Sequence, residues 1–178
     1  MRVIAGQWGG RRLQAPAGAA TRPTSDRVRE ALFSILGERV AGTRVLDLFA
    51  GSGALGIEAL SRGAAEATFV DSSPAAVKAV RANLEALGGE ADVRRADAHV
   101  FLRGASGAGR HYDLVFLDPP YRLAERLGRE LSEALPAVLA PGGLAISESD
   151  RRSVLNLDMT PTDERRYGDT VIRIHGPR

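Results

Sequence analysis

The chain has 178 residues, 44% of them hydrophobic and 26% charged, enough apolar content to bury the core of one soluble domain. It has no cysteine, which excludes a disulfide framework, a thiolate metal site and a cysteine nucleophile. Net charge is only +2, yet residues 1–40 carry seven arginines against Asp26, Glu30 and Glu38, a local balance of +4 that marks a polyanion partner. Of 24 basic residues only Lys78 is lysine, and arginine's planar fork suits phosphate and base edges. No apolar run reaches the length of a membrane span, and MRVIAGQWGG lacks a signal-peptide core, so the expected compartment is the cytoplasm, without membrane contact.

Residues 1–15 read as a small hairpin or extended arm, with Arg2-Val3-Ile4 and Arg12-Leu13 as short strands around Gly6, Gly9 and Gly10. Trp8 stands among these glycines. A hydrophobic anchor docking the arm is favoured over a base-stacking role. Residues 16–23 form a linker with a proline at each end. The expected division is a basic arm and linker over 1–23 and a main domain over 24–178. Thr24-Ser25-Asp26 is a helix start, and Val28, Ala31, Leu32, Ile35 and Leu36 follow at helical spacing until Gly37. Arg27, Arg29 and Glu30 are expected on the outer face.

Val45, Leu46, Leu48 and Phe49 form a short apolar run, read as a buried strand. Ala50-Gly51-Ser52-Gly53 is then a Cβ-poor turn into a helix from Ala54. Such a turn presents backbone N–H groups and the positive end of a helix to a ligand. Ala67 to Asp71 is a second strand with an acid at its end. Pro74 opens a helix carrying Val77, Val80, Arg81, Leu84 and Leu87 as far as Gly88-Gly89. Val93-Arg94 is a third short strand ending near Asp97, and 98–102 a short helical piece. Residues 104–109 (GASGAG) read as a flexible loop. Tyr112 to Leu117 is a buried strand running into Asp118-Pro119-Pro120-Tyr121. Residues 123–139 are largely helical, broken near Pro136. Pro141-Gly142-Gly143 is a turn and 144–148 a fifth strand. Ser153–Leu157 and Thr170–His175 are expected to pair as a terminal hairpin around a turn region containing Arg165-Arg166.

Alternating strands and helices imply an α/β fold with a mainly parallel sheet and helices on both faces. Ligands of such folds bind outside the carboxyl ends of the strands, at the switch point. Asp47, Asp71, Asp97 and Asp118 all lie at or near such ends. Four carboxylates on one rim repel one another and resist burial, which argues for a ligand there. Gly51 to Gly56 matches G-x-G-x-x-G and Asp71 follows 20 residues after Gly51, so a nicotinamide-dinucleotide enzyme is one reading. Asp47 just before the turn and the acid-Pro-Pro-aromatic element argue against a pyrophosphate ligand. His99, His111 and His175 show no ligand spacing, and each is expected at the surface or a strand edge. No metal is expected.

DLFAGSGALGIEAL with DPPY resembles the Rossmann-like S-adenosylmethionine-dependent methyltransferases that act on exocyclic amines. RVIAGQWGGRRL, RPTSDRVREALFSIL, EALSRGA and RRYGDT are further similar to the RsmD family, which methylates N2 of one guanine in bacterial 16S rRNA. The resemblance covers nearly the whole chain. It implies a class I methyltransferase fold: a seven-stranded, mainly parallel sheet with a terminal antiparallel hairpin, plus the N-terminal β-hairpin arm. It also implies S-adenosylmethionine as cofactor, held by Asp47, Phe49, Ala50, Gly51, Ser52, Gly53, Asp71, Ser72, Asp97 and Ala98. Asp47 would lie by the amino-acid tail, Asp71 by the ribose hydroxyls and Asp97-Ala98 by the adenine edge. Asp118, Pro119 and Tyr121 would form the catalytic element: two acceptors orient the guanine amine and Tyr121 stacks on a base turned out of its helix.

The implied partner is 16S rRNA or an assembling small ribosomal subunit, met by a monomer. Arg2, Arg11, Arg12, Arg22 and Arg27 are candidate RNA contacts. Arg22-Pro23-Thr24 can hold phosphate or close over the active site; both readings stand. Two alternatives remain: methylation of another amine (adenine N6 in DNA or a protein glutamine amide), and a non-catalytic RNA-binding assembly factor. Relatives acting on those other amines more often carry Asn in place of Asp118 and lack the arginine-rich arm.

Overall fold

A computed structural model describes residues 1–18, 25–120 and 124–176. Seven strands form one sheet in the order β3-β2-β1-β4-β5-β7-β6. They are β1 (Arg44–Asp47), β2 (Glu66–Asp71), β3 (Asp92–Arg95), β4 (Tyr112–Leu117), β5 (Leu139–Asp150), β6 (Pro161–Tyr167) and β7 (Thr170–His175). The first five run parallel; β7 joins β5 antiparallel, and β6 joins β7 antiparallel. This is the expected mixed sheet closed by a hairpin, the fold of Rossmann-like methyltransferases.

Among the described residues α1 (Asp26–Leu36) precedes the sheet, and α2 (Ala54–Ser61), α3 (Pro74–Leu87), α4 (Ala98–Gly107) and α5 (Ala124–Ala134) connect the parallel strands. Alternate residues of each central strand point to opposite faces. Val45, Phe69, Leu114 and Phe116 therefore pack with α1, α2 and α3. Leu46, Val70, Val115 and Leu117 pack with α4 and α5 on the other face. Both faces are covered, as buried parallel strands require.

Several local expectations are corrected. The arm is not a two-stranded hairpin: Arg2 and Arg12 form one isolated antiparallel bridge. The N–H groups that would extend it go to α2 instead. Ile4 N–H and Ala5 N–H donate to Glu58 Oε2 and Oε1 at 2.7 and 3.1 Å, and Trp8 N–H donates to Ser61 Oγ at 3.0 Å. Residues 104–107 are the last turn of α4 and not a loop, because Leu102 and Ala105 bury one side of it. Pro141–Gly143 lie inside β5 beside an irregularity in its pairing with β4. Ser153–Leu157 is not a strand: Leu155 is fully buried and its N–H is held by Ser149 Oγ at 3.0 Å. The partner of β7 is β6, which contains Arg165 and Arg166, and the hairpin turns at Gly168-Asp169. Pro136 falls in a short 3-10 turn after α5 ends at Ala134.

Candidate active site

The strand order reverses beside β1, with β2 on one flank and β4 on the other, so the switch point lies at their carboxyl ends. Asp47 closes β1, Asp71 closes β2, and Asp118 follows the last residue of β4. Three acids thus converge around the turn at Gly51–Gly53.

Asp47 is only 2% exposed. Its Oδ2 accepts the N–H of Gly56 at 2.9 Å, so a buried carboxylate sits against the first turn of α2. Burial pushes its pKa up to about 7; the Gly56 bond opposes this, and the charges of Asp118 and Asp71 reinforce it. Asp71 is half-buried and accepts Gly51 N–H through Oδ2 at 2.9 Å and Ser73 N–H through Oδ1 at 2.8 Å. It therefore shapes the glycine turn as well as facing its mouth.

The turn itself depends on glycine. Gly53 begins α2 at φ +79°, a conformation that L side chains rarely adopt. At Gly56 an added Cβ would stand 2.4 Å from the ring of Phe69, so this glycine lets α2 settle directly on β2. At Gly51 an added Cβ would meet nothing within 4 Å, which leaves open space over the turn. Ala50 is buried and tied to β2 through Val70 O at 3.0 Å; Ser52 is buried; Phe49 is half-buried; Ser72 is exposed.

Asp97 lies two residues beyond the end of β3. It caps α4, accepting His99 N–H at 3.0 Å and Val100 N–H at 3.2 Å, both through Oδ1. Ala98 beside it is buried. Asp118 is half-buried and Pro119 buried. Tyr121 and Arg22 lie outside the described residues, as do Pro23 and Thr24.

The arm's arginines divide. Arg11, Arg12 and Arg27 are exposed, and Arg11 donates to Ala86 O on α3 at 2.6 Å. Arg2 is exposed and pairs with Asp26 at 3.5 Å. Arg29, expected on the outer face of α1, is fully buried. It shares a stripe with Leu32, Phe33 and Leu36, one helical turn apart. It donates to Arg2 O and to Asp26 at 3.0 Å, and its Nε lies 3.9 Å from buried Glu58. Arg62 pairs with the same Glu58 at 2.7 Å and lies over the Phe33 ring. Trp8 packs at Gly89, where an added Cβ would come within 2.8 Å of its ring, so it is a docking anchor. His111 is exposed and His99 half-buried, but His175 is 1% exposed, its Nδ1 bonded to Met159 O at 2.8 Å. Burial holds the His175 pKa below its usual value. Among the described residues no group of acids and histidines is arranged to hold a metal.

Two residues that sequence reasoning passed over hold this region together. Glu58 is the single charge in the apolar helix ALGIEALS, a signal that it is committed to partners. Asn83 falls at apolar spacing between Val80 and Leu87 on α3, and it is 2% exposed. Its Oδ1 accepts Gln14 N–H at 2.8 Å, while its Nδ2 donates to Gln14 O at 3.0 Å and to Ser52 O at 2.9 Å.

A family model described as "Conserved hypothetical protein 95" matches residues 1–176. The chain belongs to this family, the RsmD family. It is 40% identical over 185 residues to the Bacillus subtilis protein named "Putative rRNA methyltransferase YlbH", with 100% of both chains covered. It is 46% identical over 123 residues to Escherichia coli "Ribosomal RNA small subunit methyltransferase D", covering 68% of this chain and 61% of that one. The solved structure titled "Putative methyltransferase yhhF from Escherichia coli" matches at TM-score 0.82 and 37% identity, covering 100% of this RsmD-family chain and 98% of that one.

Proposed function

We propose that the chain transfers a methyl group from S-adenosylmethionine to the exocyclic N2 of a guanine in 16S ribosomal RNA. One observation carries this reading: three carboxylates meet at adjacent strand ends around an open glycine turn, where burial, reinforced by the charges of Asp118 and Asp71, raises the Asp47 pKa to about 7. Such a cluster calls for a cation. S-adenosylmethionine fits it, with an ammonium on its tail and a sulfonium at its centre. When bound it supplies an electrophilic methyl group and its own leaving group, so no metal or covalent nucleophile is needed.

Asp47 pairs with the ammonium, and the approach over Gly51 is open because an added Cβ there would meet nothing within 4 Å. Each oxygen of Asp71 accepts one backbone N–H and keeps a lone pair for a ribose hydroxyl. Phe49, Ala50, Ser52 and Ser72 border the same cleft, and Asp97-Ala98 borders its adenine end. A guanine N2 is a poor nucleophile because its lone pair is delocalised into the ring. Asp118 and the Pro119 carbonyl accept its two N–H groups, which turns the lone pair toward the methyl carbon and stabilises the charge that develops. Tyr121 stacks on the flipped base. Arg2, Arg11, Arg12, Arg22 and Arg27 hold RNA phosphates in register. The partner is 16S rRNA or an assembling small subunit, bound by a monomer in the cytoplasm. The similarity to the small-subunit methyltransferase supports this choice of RNA.

Asp118→Ala tests the assignment. Transfer should fall at least about 100-fold, the usual cost of a lost transition-state contact, while cofactor affinity is largely kept. An equal loss of cofactor binding would remove Asp118 from the catalytic role.

A further inference from the structure

We infer that Asn83 is a positioning residue that couples RNA held by the arm to the cofactor turn, an inference that rests on the function proposed above. Among the described residues, two hydrogen-bonded routes join the arm to the turn at Ser52. Ser52 O accepts from Asn83 Nδ2 at 2.9 Å, and the same amide is locked to both backbone groups of Gln14. Ser52 Oγ meets Met1 Sδ at 3.5 Å, and Met1 O in turn accepts Leu13 N–H at 3.2 Å. Both paths lead from the arm backbone to the middle residue of the Gly51-Ser52-Gly53 turn. A side-chain amide with two donors and an acceptor can serve all three bonds at once. At 2% exposure no water substitutes for them.

The direction of the coupling follows from where the weak element lies. The arm's own backbone bonds run from Val3 to Leu13, whose side chains are buried, while exposed Gln14 beyond them is held by the Asn83 side chain. Segments of this kind open locally at low cost. Each opening withdraws Gln14 from Asn83, and the amide that fixes Ser52 O is then free to turn. RNA bound across Arg11 and Arg12 holds the arm closed. The cofactor then meets a turn whose ordering has already been completed, which is positive cooperativity without a change of fold. By linkage, the cofactor tightens RNA binding by the same factor.

The test is calorimetric titration of S-adenosylhomocysteine, which cannot transfer, into the full chain with and without a 16S rRNA transcript. In the wild type RNA should tighten the ligand about fivefold or more, a typical coupling. Asn83→Asp removes both donors while keeping the acceptor. Gln14→Pro takes away the N–H that Asn83 Oδ1 accepts, together with an exposed side chain and freedom at φ, and leaves the Asn83 and Ser52 side chains in place, so it decides the matter if Asn83→Asp does not fold. Both variants should bring the ratio of affinities to within twofold of unity. A merely structural role would lower stability and leave that ratio alone. A wild-type ratio of one, or a wild-type ratio kept by Gln14→Pro, overturns the inference while the proposed function stands. No binding of S-adenosylhomocysteine to the wild type would overturn both.

Discussion

Replacing Asp47 by asparagine separates what a buried carboxylate costs the fold from what it does for the site. Its pKa stands at about 7, raised from 3.8. That shift of roughly three units corresponds to about 4 kcal/mol at 1.36 kcal/mol per unit. The sign follows from proton counts. Below the unfolded pKa both states hold the proton and nothing is lost. As pH rises from about 4 toward about 7, the unfolded chain ionises first, the native chain holds more protons, and stability falls; above that it levels off. Asparagine is neutral at every pH and keeps an oxygen for the Gly56 N–H. Urea unfolding from pH 4 to pH 8 should show the gap between variant and wild type changing by up to about 4 kcal/mol in the variant's favour. Under the proposed function the variant also loses the charge that would pair with the cofactor's ammonium. S-adenosylhomocysteine should bind about 10- to 100-fold more weakly, as expected for a lost charge-assisted hydrogen bond. Parallel stability profiles for the two proteins would refute the reasoning.

Gly56→Ala drives a Cβ to 2.4 Å from the buried Phe69 ring, and overpacking of this kind costs about 1–3 kcal/mol, read as a lower thermal midpoint. Glu58→Ala takes from buried Arg29 one of its two carboxylates, Asp26 remaining, and frees the Ile4 and Ala5 amides. Stability should drop by about 3–5 kcal/mol and hydrogen exchange should quicken at those two amides; unchanged exchange there would mean that the arm is held by other contacts. Combined Arg11→Glu and Arg12→Glu should weaken RNA binding and flatten its salt dependence by roughly one to two counterions. An unchanged slope would exclude both as phosphate contacts.

Much of this arrangement is legible in the chain because it rests on local chemistry. The strand-turn-helix at Arg44–Leu60 combines an apolar run, a glycine turn and helical spacing, and all three agree. The acids at strand ends follow directly once the strands are placed. What was not legible depends on partners far away in sequence. The arm looks like a hairpin because Arg2-Val3-Ile4 and Arg12-Leu13 have strand composition, yet the Ile4, Ala5 and Trp8 amides are captured by Glu58 and Ser61, more than 50 residues on. Arg29 looks like a surface charge until Glu58, Asp26 and the Arg2 carbonyl surround it. Ser153–Leu157 alternates like a strand, but burial of Leu155 decides its path. Asp97 illustrates a further ambiguity: its carboxylate caps α4, a role that spacing cannot distinguish from ligand binding.

The central claim is the reaction, and its most direct test is product identity. The protein is incubated with methyl-labelled S-adenosylmethionine and, separately, naked 16S rRNA, small-subunit particles and genomic DNA. Each is then digested to nucleosides. Label in N2-methylguanosine from the rRNA or the particle is the result expected from Asp118, Pro119 and the arginine-rich arm. Label confined to N6-methyladenine, or none on any RNA substrate, would contradict it.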